Sequence, residues 1–247
     1  GRGARGAPAP AADAPLVRSG NTQTAYMLAL KFDLLPPALR PVVARRLAKD
    51  VEQNGHLTTG FVGVGLICPM LTEIGRSDLA WQLVFTDTYP SWLFSVKNGA
   101  TTIWERWDGW TPEKGFQDSS MNSFNHYSLG SVGAWLYTGA AGIQPDEAQP
   151  GYKHFTLAPQ FTPRLSHVKA TLDTPYGVIS SHWHAENDRM LYDVTVPPNT
   201  TAEVVLPVPA QELRQGGQPV AGAEGSTTKV SLAAGAYRFS FPRQFIK

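Results

Sequence analysis

Two spacings of apolar residues divide this chain. From Asn21 to about Ile143 the apolar positions recur every three to four residues, the period of a helix. Ala25 with Ala29 and Tyr26 with Leu30 mark a first stripe, which Pro36-Pro37 stops. Val43, Leu47 and Val51 form a second, ended by Asn54-Gly55 as a left-handed cap. Phe61 to Ile74 is apolar on nearly every side, which predicts a helix buried on more than one face. Thr58 or Thr59 is expected to cap that helix, and Ser77 to cap the next, which bears Trp81 and Phe85. Pro90 opens a helix through Trp92 and Val96 to Asn98-Gly99. Ser123 to Tyr137 predicts the last, with Leu129, Val132, Gly133 and Leu136 on one side. Short helices joined by tight turns, some of them wholly apolar, predict the inner ring of a helical barrel, with a plain bundle as the simpler alternative.

Beyond Pro150 the spacing falls to two. Val168–Leu172, Val178–His184, Met190–Val196, Ala202–Leu206, Val230–Leu232 and Tyr237–Phe241 read as strands. Pro175-Tyr176-Gly177, Asn187-Asp188, Pro197-Pro198-Asn199 and Gly235 supply the turns between them. Short strands at such close spacing predict an antiparallel β-sandwich. The fold class is therefore multidomain, α then β: a flexible tail over residues 1–20, part of a helical barrel over 21–148, and a sandwich over 149–247, with no internal repeat.

Composition narrows the partners. With 21 basic and 20 acidic residues and no basic cluster, nucleic acid and anionic membranes are excluded as main partners. No apolar run approaches the roughly 20 residues of a membrane span. A charged fraction of 17% beside 11% aromatic residues suits a protein acting on neutral, hydroxyl-rich ligands. Cys68, the sole cysteine, lies in an apolar run and is expected to be a small buried hydrophobe rather than a nucleophile. Gly1 to Pro15 has neither an initiator Met nor the apolar centre of a secretory signal, so a leader has been removed or the chain is cut from something longer.

The chemistry concentrates in Thr101-Thr102-Ile103-Trp104-Glu105-Arg106-Trp107-Asp108-Gly109-Trp110. Indole faces stack on the apolar faces of sugar rings, and carboxylates bind hydroxyls or move protons. A Trp-rich packing corner with Arg106 paired to one acid is the structural alternative. Glu105 leads as a base or nucleophile, flanked by Trp104 and Trp107 and held ionised by Arg106. Asp108 is a second acid for ligand contact, or an Asx turn before Gly109. Asn125 and His126 fall at the start of the last predicted helix and could reach a sugar hydroxyl at a barrel mouth. His182 and His184 share one strand face, but no third ligand is near in sequence. They read as surface residues, and no metal or organic cofactor is expected. Asn199-Thr200-Thr201 fits a glycosylation sequon, a signal too common to use.

Asn21-Thr22-Gln23-Thr24-Ala25-Tyr26, His56-Leu57-Thr58-Thr59-Gly60-Phe61, Tyr89-Pro90-Ser91-Trp92, Gly99 through Trp107, and Asn122-Ser123-Phe124-Asn125-His126-Tyr127 occur in this order. Over roughly residues 20 to 245 the chain thereby resembles the C-terminal part of bacterial α-L-rhamnosidases of glycoside hydrolase family 78. The resemblance implies a partial (α/α)6 barrel followed by an antiparallel β-sandwich. It implies Glu105 as the general base of an inverting hydrolysis, His126 in contact with rhamnose, and Trp92, Trp104 and Trp107 as walls of the pocket. The family's general acid belongs to an acidic, Asp-Gly-rich element upstream of everything here. Inversion needs two carboxyls about 6.5–9.5 Å apart, so the chain is expected to hold a base without its acid and to be inactive alone. Association with the missing N-terminal half is then expected, with a rhamnose-containing glycoside as ligand. The alternatives are a non-catalytic carbohydrate-binding or interaction module, and another glycoside hydrolase on the same helical barrel.

Overall fold

The computed structural model describes residues 20–220 and 225–246. The tail expected over residues 1–20 therefore lies, but for Gly20, outside the described residues. The chain forms two compact units that divide between Val132 and Gly133.

The first unit is helical. It contains α1 (Gln23–Lys31), α2 (Arg40–Asn54), α3 (Phe61–Glu73), α4 (Ser77–Phe85) and α5 (Trp92–Lys97). The Thr22 hydroxyl accepts from the Ala25 N–H at 3.2 Å and starts α1. Gly55, at φ 70°, closes α2 by donating to the Val51 carbonyl, the left-handed stop that Asn54-Gly55 predicts. α3 lies against α1, α4 and the short 3-10 turn Ser128–Ser131, so Ile67, Cys68 and Leu71 are fully buried. Gly63 permits the approach of α1: a Cβ there would come within 1.9 Å of Thr59 Oγ1 and 2.8 Å of Met27 Cε. Burial pushes the Cys68 thiol up to about 12, so this cysteine is inert packing, as its apolar context implies.

Several local expectations are corrected. α3 is not buried all round, because Phe61 and Val62 at its first turn are exposed. Gly60 precedes α3 with no side-chain cap, since the Thr59 hydroxyl is engaged by the Thr24 hydroxyl at 2.7 Å. Arg76, not Ser77, occupies the cap position of α4, where its guanidinium clamps Asp78 of the first turn. Ser91, one residue after Pro90, caps α5 by accepting from the Phe94 N–H at 3.0 Å. The helix expected over Ser123–Tyr137 is broken: residues 123–127 are loop, followed by the 3-10 turn, the short helix α6 (Val132–Trp135) and a π-helical turn, Leu136–Ala140. Two glycines in that stretch, Gly130 and Gly133, weaken an uninterrupted helix. Between α5 and this region lies a small hairpin, β1 (Trp110–Thr111) with β2 (Gly115–Phe116).

The second unit is a sandwich. Its strands are β3 (Ile143–Pro145), β4 (His154–Leu157), β5 (His167–Thr174), β6 (Gly177–Glu186), β7 (Arg189–Val196), β8 (Thr201–Leu206), β9 (Arg214–Gln215), β10 (Gln218–Pro219), β11 (Thr228–Leu232) and β12 (Gly235–Pro242). One sheet has six strands in the order β10-β9-β12-β7-β6-β5, the other four in the order β11-β8-β4-β3. All pairings are antiparallel except β4 with β8, which run parallel. Alternation along β6 sends Ile179, Ser181 and Trp183 into a core shared with Tyr192, Phe239 and Phe155. The two polar groups in that row are satisfied: the Ser181 hydroxyl donates to Ala141 O at 2.6 Å, and the Trp183 indole to Ala140 O at 2.9 Å. Every strand predicted from the period-two pattern is present; β3, β9 and β10 are additions of two or three residues, and β4 alternates in burial over four residues that the prediction passed over.

Candidate active site

The Trp-rich segment is held in place by the loop that follows β2. The Glu105 N–H donates to Ser123 O at 2.8 Å, and the His126 N–H donates to Ile103 O at 2.8 Å. These bonds bracket Trp104 on one side and two residues, Phe124 and Asn125, on the other, the count of a bulge. The Thr102 hydroxyl also donates to the Phe124 carbonyl. Glu105 and His126, far apart in sequence, are thereby fixed on adjoining strands of chain. Asn122 clamps the same loop, its amide donating to Gly109 O at 2.9 Å.

The Glu105 carboxylate is half-buried, and its Oε2 accepts from the Ser123 N–H at 2.7 Å. Among the described residues no group donates to its other oxygen. The expected partnership with Arg106 does not form. The guanidinium instead grips Asp108, Nε to Oδ1 at 2.9 Å and Nη2 to Oδ2 at 3.1 Å. This fork holds the Asp108 carboxyl below the usual carboxylate range, opposed by partial burial. The geometry explains the choice: two residues apart in a turn, Arg106 and Asp108 can meet, while Glu105 is drawn to the Ser123 backbone. Burial and the Asp108 charge raise the Tyr89 phenol, which stays neutral beside the pair.

The indoles are fixed by their N–H groups. Trp92 donates to Leu129 O at 2.7 Å and Trp107 to Thr59 O at 3.2 Å. Their rings meet edge to face, 5.6 Å apart at 82°. With both donors committed to backbone, what these rings offer a ligand is apolar surface. His126 stacks on Phe61 at 4.9 Å and on Tyr127 at 5.3 Å. Its Nδ1 accepts from the Ser128 N–H at 3.2 Å, which places the proton of the neutral ring on Nε2. His126 and Asn125 are thus loop residues rather than the first residues of a helix, and Asn125 is exposed.

Trp104 is buried and packs edge-on against Phe124 at 5.2 Å. It lines a shallow depression of about 300 Å³ with Thr101, Thr102, Trp110, Phe116 and Phe124, which does not include Glu105, Trp92, Trp107 or His126. Ser123, Phe61 and Thr59 are positioning residues that the sequence motifs contain but whose positioning roles the sequence did not reveal. Ser123 and Thr59 act through backbone atoms, which every residue possesses, so their side-chain chemistry carried no signal of these roles.

The helical unit matches the family model described as the bacterial alpha-L-rhamnosidase 6 hairpin glycosidase domain over residues 14–140. The bacterial alpha-L-rhamnosidase C-terminal domain matches residues 142–221. An alpha-L-rhamnosidase of Formosa agariphila is 44% identical over 192 residues, 77% of this chain and 20% of that protein. One of Streptomyces avermitilis is 43% identical over 189 residues, 76% of this chain and 18% of the relative. The crystal structure of a Streptomyces avermitilis alpha-L-rhamnosidase complexed with L-rhamnose superposes with a TM-score of 0.84 at 38% identity, covering 90% of this chain and 22% of that one. That of an Aspergillus terreus enzyme gives 0.79 at 32% identity, covering 90% and 24%. The chain thus spans about a fifth of the length of the curated relatives it matches. With both domain models matched in order on a fold of helices and then a sandwich, the chain belongs to the bacterial α-L-rhamnosidase six-hairpin glycosidase family.

Proposed function

We propose that this chain is the C-terminal portion of an inverting α-L-rhamnosidase, in which Glu105 is the general base. The observation that carries this reading is the Glu105 carboxylate, pinned at one oxygen by the Ser123 N–H and left clear of Arg106. A carboxylate neutralised by a fork would be a poor base, whereas one held by a backbone amide keeps a lone pair for water. In the reaction Glu105 takes a proton from water as the water oxygen bonds to the anomeric carbon. The glycosidic C–O bond breaks, and the departing oxygen takes its proton from an acid outside this chain. Nothing in the step requires a metal or an organic cofactor.

The remaining site residues bind the sugar. His126 offers its Nε2–H to a hydroxyl, and Asn125 stands beside it. The crossed faces of Trp92 and Trp107 suit the methyl group and apolar face of a deoxyhexose. Trp104, buried against Phe124 beside a separate depression, is the least direct of the three indoles, and Asp108, ionised in its fork with Arg106, reaches substrate through the carboxylate lone pairs that the fork leaves.

The chain acts with the N-terminal part of the barrel. Phe61, Val62, Phe116, Met121 and Tyr127 of the helical unit are exposed apolar side chains that this part of the barrel would cover. The test is hydrolysis of a chromogenic α-L-rhamnoside by the chain reconstituted with that N-terminal half. Glu105→Gln should lower kcat by about 10²–10⁴-fold. Unchanged turnover would remove Glu105 from the mechanism. The alternative, a carbohydrate-binding module, draws on the absence of a second catalytic carboxyl among the described residues near Glu105, where Asp108 is bound to Arg106. Calorimetric titration of the reconstituted protein with L-rhamnose separates the two: binding with no turnover supports the module.

A further inference from the structure

The sandwich contains a second cluster with its own chemistry, independent of the rhamnosidase reading. Because β6 sends Ile179, Ser181 and Trp183 inward, His182 and His184 stand together on its outer face. Their rings stack with centroids 4.9 Å apart and planes at 26°. Sequence alone offers them no third ligand, but strand pairing does. The register of β7 sets Asp193 directly opposite His182 across the hairpin. One ligand atom each from His182, His184 and Asp193 lies within 4.8 Å of the others. In a tetrahedral zinc site with metal–nitrogen bonds of about 2.0–2.1 Å, neighbouring ligand atoms lie roughly 3.3 Å apart. Binding would draw the three atoms together from within 4.8 Å to that spacing by side-chain rotation.

Two further observations favour an ion here. His184 Nδ1 is buried and, among the described residues, has no hydrogen-bond partner. An orphaned ring nitrogen in a sheet costs free energy that an ion would recover. Asp193 is already oriented by Arg238, Nε to Oδ1 at 2.6 Å and Nη2 to Oδ2 at 3.0 Å. That fork takes one lone pair from each oxygen and leaves another on each, so Arg238 plays the part of an outer hydrogen-bond donor that aims a ligating carboxylate. Lys169, opposite His182 on β5, is an opposing charge in addition to Arg238, but it is exposed and its stem can swing into water. His167, opposite His184, is engaged with the Ser166 hydroxyl at 3.0 Å.

We propose that His182, His184 and Asp193 bind a divalent ion of the zinc, nickel and copper class, through three protein ligands with the remaining position open to water. Two imidazoles and one carboxylate suit these borderline ions, whereas magnesium and calcium favour all-oxygen sets. The ion would tie β6 to β7 and give His184 the partner it lacks.

The experiment uses the 247-residue chain stripped with chelator and titrated with Zn²⁺ by calorimetry. One equivalent should bind. His182→Gln with His184→Gln should weaken that binding by at least ~100-fold, and Asp193→Asn by at least ~10-fold. Lys169→Gln should bind as tightly as the parent or more so. Excess Zn²⁺ should raise Tm of the parent chain and leave that of the double histidine variant unmoved. Equal Zn²⁺ affinity in the parent and the double variant overturns the proposal. Should that variant fail to fold, Cu²⁺ added to the parent should selectively broaden the ring-proton NMR signals of His182 and His184. Uniform broadening of all six histidines, or none, overturns the proposal as well.

Discussion

The helical unit and the sandwich meet the same demand, hiding apolar surface, with different completeness. In the sandwich each sheet has one apolar face, and the facing sheet covers it, so Trp183, Tyr192, Phe155 and Phe239 are all 0% exposed. In the helical unit α3 buries Ile67, Cys68 and Leu71, yet Val62 is 66% and Tyr127 84% exposed. An inner helix of a barrel has more than one apolar side, and this chain supplies cover for part of it. The residues proposed for catalysis lie in the less complete unit, on loops fastened by backbone hydrogen bonds. The sandwich closes its own core, while the helical unit leaves apolar side chains of α3 and the loop after β2 in water.

That division makes specific demands. The largest effect falls on Glu105: in the reconstituted enzyme, Glu105→Gln should cut kcat by about 10²–10⁴-fold while Tm stays within about a degree or two, read by rhamnoside hydrolysis and a thermal melt. Trp183→Ala should do the reverse, destabilising the sandwich by roughly 3–5 kcal/mol in a denaturant titration with turnover per folded molecule unchanged. Gly63→Val drives a side chain into Thr59 and Met27, and should cost the helical unit roughly 1–3 kcal/mol or more. Cys68 reports that unit directly: with its thiol near 12 and fully buried, it should resist alkylation at pH 8 until α3 opens. Trp183→Ala should leave that labelling rate alone, and Gly63→Val should raise it. If both variants speed labelling equally, the two units unfold as one.

The smallest effect is electrostatic. The Asp108 carboxyl is depressed in the folded chain by the Arg106 fork. Its contribution to stability is therefore complete above the unfolded value of about 3.9 and is lost as pH falls through the lower folded value. Arg106→Gln should shift the acid unfolding of the helical unit, followed by near-UV circular dichroism, to higher pH. Salt should narrow the difference between variant and parent, because the pair is partly exposed.

Period and punctuation made most elements legible. The period-two pattern predicted the strands from β5 to β8, β11 and β12, and Gly55 ends α2 as Asn54-Gly55 implies. Errors arose where a side chain had a stronger partner in space than in sequence. Thr59 is engaged by Thr24 instead of capping α3, and Arg106 grips Asp108 instead of Glu105. Ser123 to Tyr127 has helical spacing, yet its N–H and C=O groups pair with Ile103, Glu105 and Thr102, so a loop replaces the first turns of the helix.

By itself the amino-acid sequence determined the order of the two units, the alternation that builds the sandwich core, and the residue types gathered around Glu105. These follow from local rules, since periodicity, turn chemistry and motif content are properties of neighbours along the chain. Tertiary structure alone decided which hydrogen bond holds Glu105, which acid the guanidinium takes, and that Asp193 joins His182 and His184. Those outcomes depend on distances between segments far apart in sequence, and only packing and strand register set such distances.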